Sequence, residues 1–208
     1  LFSPGCTKDD KRIESTDFLL FSPIMVTEKM DGSNVCLENE AVFARTHAGR
    51  PRHQSFSALK AMHACIRSRI PAGVQIFGEW LWAQHTISYN RLPAYFMVFG
   101  VCDLRKCLWA SWAEVEQWAD LVGCPTVPVL ERNVIVYSDK ELQKLVERHA
   151  LGASHVGETR EGVVVRRQCD MPDSMFPHYV AKWVREDHVQ TDEHWKDRKP
   201  VRNRIEGG

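Results

Sequence analysis

The side chains with chemical potential gather first in Thr27-Glu28-Lys29-Met30-Asp31-Gly32-Ser33-Asn34. A lysine stands between two apolar runs, Phe18 to Val26 and the one opened by Val35, and Asp31-Gly32 is a strong tight-turn signal just after it. The local reading is strand, turn, strand. Its bland version is a hairpin with an exposed lysine near the tip. Further polar residues then recur at strands: Arg45, Glu79 in Phe77-Gly78-Glu79-Trp80, Glu161 before Gly162-Val163-Val164-Val165-Arg166, and Lys182 inside Val180-Ala181-Lys182-Trp183-Val184. An acid at the mouth of a buried strand and a lysine within an apolar one are not where a merely solvated face would put them. A lysine is a nucleophile only when neutral, and its reference pKa of about 10.4 keeps it protonated near pH 7. Neighbouring cations and partial burial are expected to push the value for Lys29 down.

The elements that must hold these residues follow from the pattern. Phe18 to Val26 reads as a buried strand interrupted by Ser22-Pro23, and Val35-Cys36-Leu37 and Ala41-Val42-Phe43 read as strands joined across Glu38-Asn39-Glu40. From Gln54 to Ile70, Phe56, Leu59, Met62 or His63, Ile66 and Ile70 return at helical spacing, with Lys60, Arg67 and Arg69 on the other face and Pro71-Ala72-Gly73 as the stop. Val74 to Trp82 and the nearly all-apolar Ala94 to Cys102 are strands, the second of them central. Ser111-Trp112-Ala113-Glu114 and Ser138-Asp139-Lys140-Glu141 are capping boxes that open two helices, with a short strand between them at Pro125 to Val129. Gly162 to Arg166 and His178 to Val184 are the last strands. The class is α+β, mainly antiparallel.

With 208 residues, 44% hydrophobic and 26% charged, the chain has the composition of one well-packed soluble domain. No apolar run approaches the roughly 20 residues of a membrane span, and the start lacks the design of a secretory signal. Seven cysteines with no Cys-x-x-Cys argue for a reducing, cytoplasmic setting and against a zinc site, and His188 and His194 read as surface or RNA-facing groups rather than metal ligands. Net charge is zero, yet Ala44 to Gly78 holds no Asp or Glu while carrying Arg45, Arg50, Arg52, Lys60, Arg67 and Arg69; a second basic cluster spans Lys196 to Arg204. Local excess of this kind is the pattern of a phosphate-binding face.

Taken in order, these motifs resemble the covalent nucleotidyltransferase superfamily of polynucleotide ligases and capping enzymes, and most of all the ATP-dependent RNA ligase family. Lys29-Met30-Asp31-Gly32 fits the superfamily's Lys-x-Asp-Gly nucleophile motif, and Asn34 is a feature of RNA ligases that seal breaks. The resemblance runs from about Thr27 to Arg185. It implies a nucleotidyltransferase (adenylation) domain over residues 1–185: two mainly antiparallel sheets, flanking helices and a nucleotide groove between them. Residues 186–208 would be a short basic tail, too short for an OB-fold. Lys29 would attack the α-phosphorus of ATP, Glu79 would hold the ribose, Phe99 would stack on adenine, and Arg45 would contact phosphate and ribose. Glu161 would hold Mg²⁺ or Mn²⁺, and Lys182 would neutralise the α-phosphate and take part in catalysis. Glu28, Asp31, Gly32 and Asn34 complete the expected nucleotide site, and Gly32 would let the backbone approach the nucleotide. RNA with 3′-hydroxyl and 5′-phosphate ends would lie against Arg50, Arg52, Lys60, Arg67, Arg69 and Arg185. The family's last motif is usually Lys-x-Lys; here it is Lys182-Trp183-Val184-Arg185, which leaves open the step that Lys182 serves. The alternatives are a capping-type guanylyltransferase, a DNA ligase core, or a catalytically idle nucleic-acid-binding domain.

Overall fold

The computed structural model describes residues 13, 15–44, 54–186 and 200–207. Arg45, Arg50, Arg52, His188, His194 and the Lys196–Lys199 part of the basic cluster lie outside the described residues. In chain order the regular elements are β1 (Ile24–Lys29), β2 (Ser33–Leu37), β3 (Val42–Ala44), α1 (Ser57–Ile66), β4 (Val74–Trp80), β5 (Phe96–Asp103), β6 (Leu108–Trp109) and α2 (Trp112–Val122). They continue as β7 (Val129–Val134), α3 (Asp139–Ala150), β8 (Gly162–Arg167), β9 (Met171–Pro172), α4 (Phe176–Tyr179) and β10 (Val180–Val184). No described helix is long and apolar enough to cross a membrane.

The strands form two sheets whose pairings are all antiparallel, one four-stranded in the order β10-β8-β1-β7 and one six-stranded in the order β3-β2-β4-β5-β6-β9. β5 lies inside the larger sheet, as its apolar run predicts. On one face of that sheet Val35, Leu37, Ile76 and Trp80 pack with Leu59, Ile66 and Ile70 of α1 and its extension and with Val115, Ala119 and Val122 of α2. A second core joins Val26, Val163, Val165 and Trp183 of the smaller sheet to Leu142, Leu145 and Val146 of α3.

The turn after Lys29 does not close a hairpin. β1 pairs with β7 and β8, whereas β2 pairs with β3 and β4, so Met30-Asp31-Gly32 carries the chain from one sheet to the other. Gly32 is not among the residues with positive φ, which the favoured Asp-Gly hairpin turn demands. β1 is buried along nearly its whole length and takes a partner on each edge.

Other elements differ in detail. The strand expected at Pro125 to Val129 begins only at Val129; the residues before it bind β5 through Val98 N–H to Pro125 O (2.8 Å) and Val127 N–H to Val98 O (2.9 Å). Ser111 and Glu114 form their capping box, while the second box is half made: Ser138 Oγ accepts from Glu141 N–H, and the Glu141 carboxylate accepts from Tyr137 N–H instead. Lys182 is exposed rather than enclosed, because β10 is an edge strand whose Trp183 turns to α3 while Lys182 turns away. Residues 200–207 do not trail from the fold. They pack along the segment between β4 and β5, with Gln84 N–H to Val201 O at 2.8 Å and Leu92 N–H to Arg204 O at 3.1 Å.

Candidate active site

Lys29 ends β1 directly across from Gly162 at the start of β8. That register brings the residue before Gly162 to the lysine, and Lys29 Nζ donates to both carboxylate oxygens of Glu161, at 2.6 and 2.5 Å. The lysine side chain is 22% exposed and that of Glu161 only 6%, so the pair sits at a mouth open on the lysine's side. A Cβ at position 162 would lie 2.0 Å from Trp183 O, so only glycine lets β8 and β10 close at this point.

The turn itself is held from three directions. Glu79 on β4 accepts from Gly32 N–H at 3.0 Å. Asp31 Oδ2 accepts from Thr86 N–H (2.8 Å) and Ile87 N–H (2.7 Å), and Asp31 N–H donates to the Tyr89 hydroxyl at 2.8 Å. His85 stands by the other oxygen, with its Nδ1 4.0 Å from Asp31 Oδ1. Gly32 is crowded by the end of β4 and the residue after it: an added Cβ would meet Trp80 O at 2.7 Å and the Leu81 side chain at 2.8 Å. Asn34 lies in register beside Glu79 on the face of the larger sheet opposite α1.

Three carboxylates around one amine set the electrostatics. Burial by itself would lower the pKa of Lys29, but Glu161, Glu79 and Asp31 together outweigh it and hold the value above the ordinary one. This reverses the expectation of a depressed value. Burial pushes Glu161 up to about 7 against the opposing pull of Lys29, with Asp31 adding to the rise and Lys182 opposing it. Burial likewise takes Glu79 up to about 8; Lys29 opposes, and Glu161 and Asp31 assist. Among the described residues no group of three or more His, Cys, Asp or Glu side chains converges to hold a metal.

The remaining expected residues divide. Phe99 is half-buried at a β-bulge, since Phe77 pairs with Gly100 and Gly78 with Val98. Its carbonyl accepts from Arg166 Nη1 at 3.0 Å, and Arg166, buried over the Trp112 ring, also reaches Ala110 O at 3.1 Å. Glu28, next to the lysine, points to the opposite face of β1, where it accepts from Ser154 Oγ (2.5 Å) and His155 N–H (3.1 Å) and lies 3.4 Å from Arg160 Nε. Lys182 is on the Lys29 side of the smaller sheet, in register with Val164 and through it with Thr27. Arg185 N–H donates to Glu161 O at 3.1 Å. Lys60, Arg67 and Arg69 are exposed on the outer side of α1 and its extension, across the larger sheet from Glu79 and Asn34. Sequence reasoning did not find Tyr89, Asn203 or the anchoring role of Arg166. The first two stand in irregular segments without a motif, although Arg166 closes one.

A family model described as RNA ligase matches residues 22–184. No curated protein sequence matches the chain. Among solved structures, a mutant RNA ligase of Naegleria gruberi with ATP and Mn aligns with a TM-score of 0.60 at 15% identity, covering 89% of this chain and 58% of that one. An apo form of another mutant of the same ligase gives 0.60 at 16%, covering 94% and 59%. An archaeal ATP-dependent RNA ligase gives 0.55 at 17%, covering 87% and 48%. The chain therefore spans less than two thirds of each of these proteins, and at such identities the likeness is one of fold.

Proposed function

The chain belongs to the RNA ligase family, and from that premise we propose that it is the nucleotidyltransferase core of an ATP-dependent RNA ligase, joining a 3′-hydroxyl to a 5′-phosphate. The observation that carries the reading is Lys29 at the crossing between the two sheets, bound to Glu161 at 2.5 Å with Glu79 and Asp31 around it.

In the first step the neutral amine of Lys29 attacks the α-phosphorus of ATP. A P–N bond forms, the P–O bond to pyrophosphate breaks, and lysyl-AMP results. The AMP then passes to the RNA 5′-phosphate, with Lys29 as the leaving group, and the 3′-hydroxyl displaces AMP to make the phosphodiester. Asn34, Glu79 and Phe99 stand on one sheet and Lys29 and Lys182 on the other, which supports binding of the nucleotide between them. Arg45 remains a proposed phosphate contact; Asp31 and Gly32 act in this reading by shaping the turn, and Glu28 by fastening Ser154, His155 and Arg160 to the other face of β1. Arg50, Arg52, Lys60, Arg67, Arg69 and Arg185 are proposed RNA contacts.

The donor set fits a magnesium or manganese ion that arrives with the nucleotide. Such ions take one or two carboxylates and complete their shell with phosphate and water, and Glu161 offers buried hard oxygen with Glu79 near. When bound, the ion supplies charge stabilisation at the phosphates. Glu161 shared in this way supports the Lys29 ammonium less, so the lysine moves toward the neutral form that reacts. The six described cysteines are free, which supports a cytoplasmic, reducing setting.

The test is intact mass after stripping with pyrophosphate and incubation with Mg²⁺ and ATP or GTP. An ATP-specific AMP adduct that disappears in Lys29→Ala is expected. GTP labelling would move the assignment to a capping-type enzyme, and no adduct with either nucleotide would overturn it.

A further inference from the structure

Asn203 is 2% exposed and lies far in sequence from Lys29, Glu79 and the Asp31 turn, within the basic cluster that closes the chain. Its backbone N–H donates to Trp82 O (3.1 Å), its Nδ2 to Leu81 O (2.9 Å) and Ala83 O (3.5 Å), and its Oδ1 accepts from Tyr89 N–H (2.9 Å). One amide side chain thus ties together the two ends of the loop from Leu81 to Tyr89. Its carbonyl accepts from the Tyr95 hydroxyl at 3.1 Å, and the Arg202 guanidinium lies 5.1 Å from the centre of the Tyr95 ring. Val201 O accepts from Gln84 N–H at 2.8 Å, Arg204 N–H donates to Tyr89 O at 2.9 Å and Glu206 N–H to Leu92 O at 2.9 Å, so residues on both sides of Asn203 are fastened as well.

The same loop presents Thr86 N–H, Ile87 N–H and the Tyr89 hydroxyl to Asp31, two residues beyond Lys29. Both ends of this relay are specific in chemistry. An asparagine offers a donor and an acceptor on one small planar group, which is what two carbonyls and one N–H require. A buried N–H left without its acceptor is costly, so the Tyr89 hydroxyl is one of the groups that hold the Asp31 turn in place.

We propose that Asn203 is a positioning residue for adenylyl transfer: through Tyr89 and the Thr86–Ile87 amides it fixes the Asp31 turn and thereby the aim of Lys29. The proposal rests on the ligase reading above. The segment expected to be a solvated basic tail is then a working part of the site, and its basic residues matter less than the neutral amide among them. Removing the amide leaves the loop a wider range of positions, and misplacement of a nucleophile by about 1 Å is enough to cost up to a hundredfold in rate.

The experiment compares the full chain with Asn203→Ala, Tyr89→Phe and the double variant, each stripped with pyrophosphate. It reads single-turnover lysyl-AMP formation against ATP concentration, together with amide hydrogen exchange at residues 30–33. Each single variant is expected to slow transfer at saturating ATP about tenfold, with half-saturation moved by less than about twofold, and the double to be no slower than the slower single, because both act on one relay. Exchange at Asp31 and Gly32 should quicken in every variant. An unchanged rate in Asn203→Ala overturns the proposal, and so do losses that multiply in the double. Should Asn203→Ala fail to fold, Tyr89→Phe decides: slower transfer in a folded protein upholds the relay and an unchanged rate overturns it. If the wild type forms no lysyl-AMP, the ligase reading falls, and exchange at Asp31 alone decides whether Asn203 holds the turn.

Discussion

Burial would by itself discharge Lys29, yet Glu161, Glu79 and Asp31 outweigh it, so without nucleotide the amine is carried as an ammonium ion at neutral pH. Lysyl-AMP formation should therefore climb as pH rises from 6 to 9, measured by single turnover at fixed Mg²⁺; a flat profile would contradict a protonated resting lysine. Glu161→Ala should cut the first step at least about tenfold, since it removes the hard oxygen and leaves Lys29 to find its own place. A metal titration identical to wild type would discard the metal role. Glu79 carries a stability prediction of definite sign. Its pKa rises from an ordinary 4.5 to about 8 on folding, so the folded state keeps a proton that the unfolded chain has lost. Stability should fall as pH rises through the window from about 4.5 to 8 and level off above it, with Glu161 acting in the same direction up to about 7. Glu79→Gln keeps an acceptor for Gly32 N–H and should lose its share of that slope, gaining on the order of 4 kcal/mol over wild type at pH 9 relative to pH 5 in chemical denaturation.

At the scale of the elements, the decisive one is the crossing from β1 to β2. Sequence pattern located the strand, the lysine and the turn, but read the turn as a hairpin, because Asp-Gly between apolar runs carries no information about which strands pair. Pairing was decided elsewhere, by β7 and β8 arriving on either edge of a strand buried on both faces. Gly32→Ala tests the tightness of this crossing. The overlap with Trp80 O should cost about 1–3 kcal/mol in thermal or chemical unfolding and slow lysyl-AMP formation, whereas normal values of both would mean that the turn has room. Helix α1 was legible almost residue by residue, since one amphipathic face is a local property, and Leu59, His63 and Ile66 are buried as the spacing requires. What the spacing does not give is the helix's place across the larger sheet from Glu79. Neutralising Lys60, Arg67 and Arg69 together should lower the salt dependence of RNA binding by a slope of about 2–3 if RNA wraps to that side. An unchanged slope would leave those charges outside the interface.

For the whole molecule, the antiparallel α+β class could be read from the pattern of apolar runs, whereas the two sheets and a common site for Lys29, Glu79 and Glu161 were implied by the family resemblance rather than by any period in the chain. The supports could be read from neither. Tyr89 under Asp31 and Asn203 under Tyr89 act through hydrogen bonds in irregular chain, where neither period nor composition marks them, and Arg166, though it closes a strand motif, shows its hold on Phe99 and Ala110 only in three dimensions. The smaller sheet also orders events in time. Its strands come from residues 24–29, 129–134, 162–167 and 180–184, so β1 waits for neighbours that lie more than a hundred residues further along the chain. Closing such long loops is slow, and a protein made from its N-terminus exposes β1 long before β8 exists. On the ribosome, then, Lys29 is among the first thirty residues of this sequence to be made and among the last to gain its surroundings. A nascent chain stopped before residue 161 should be unable to take up AMP even with β2 to β6 of the larger sheet already paired.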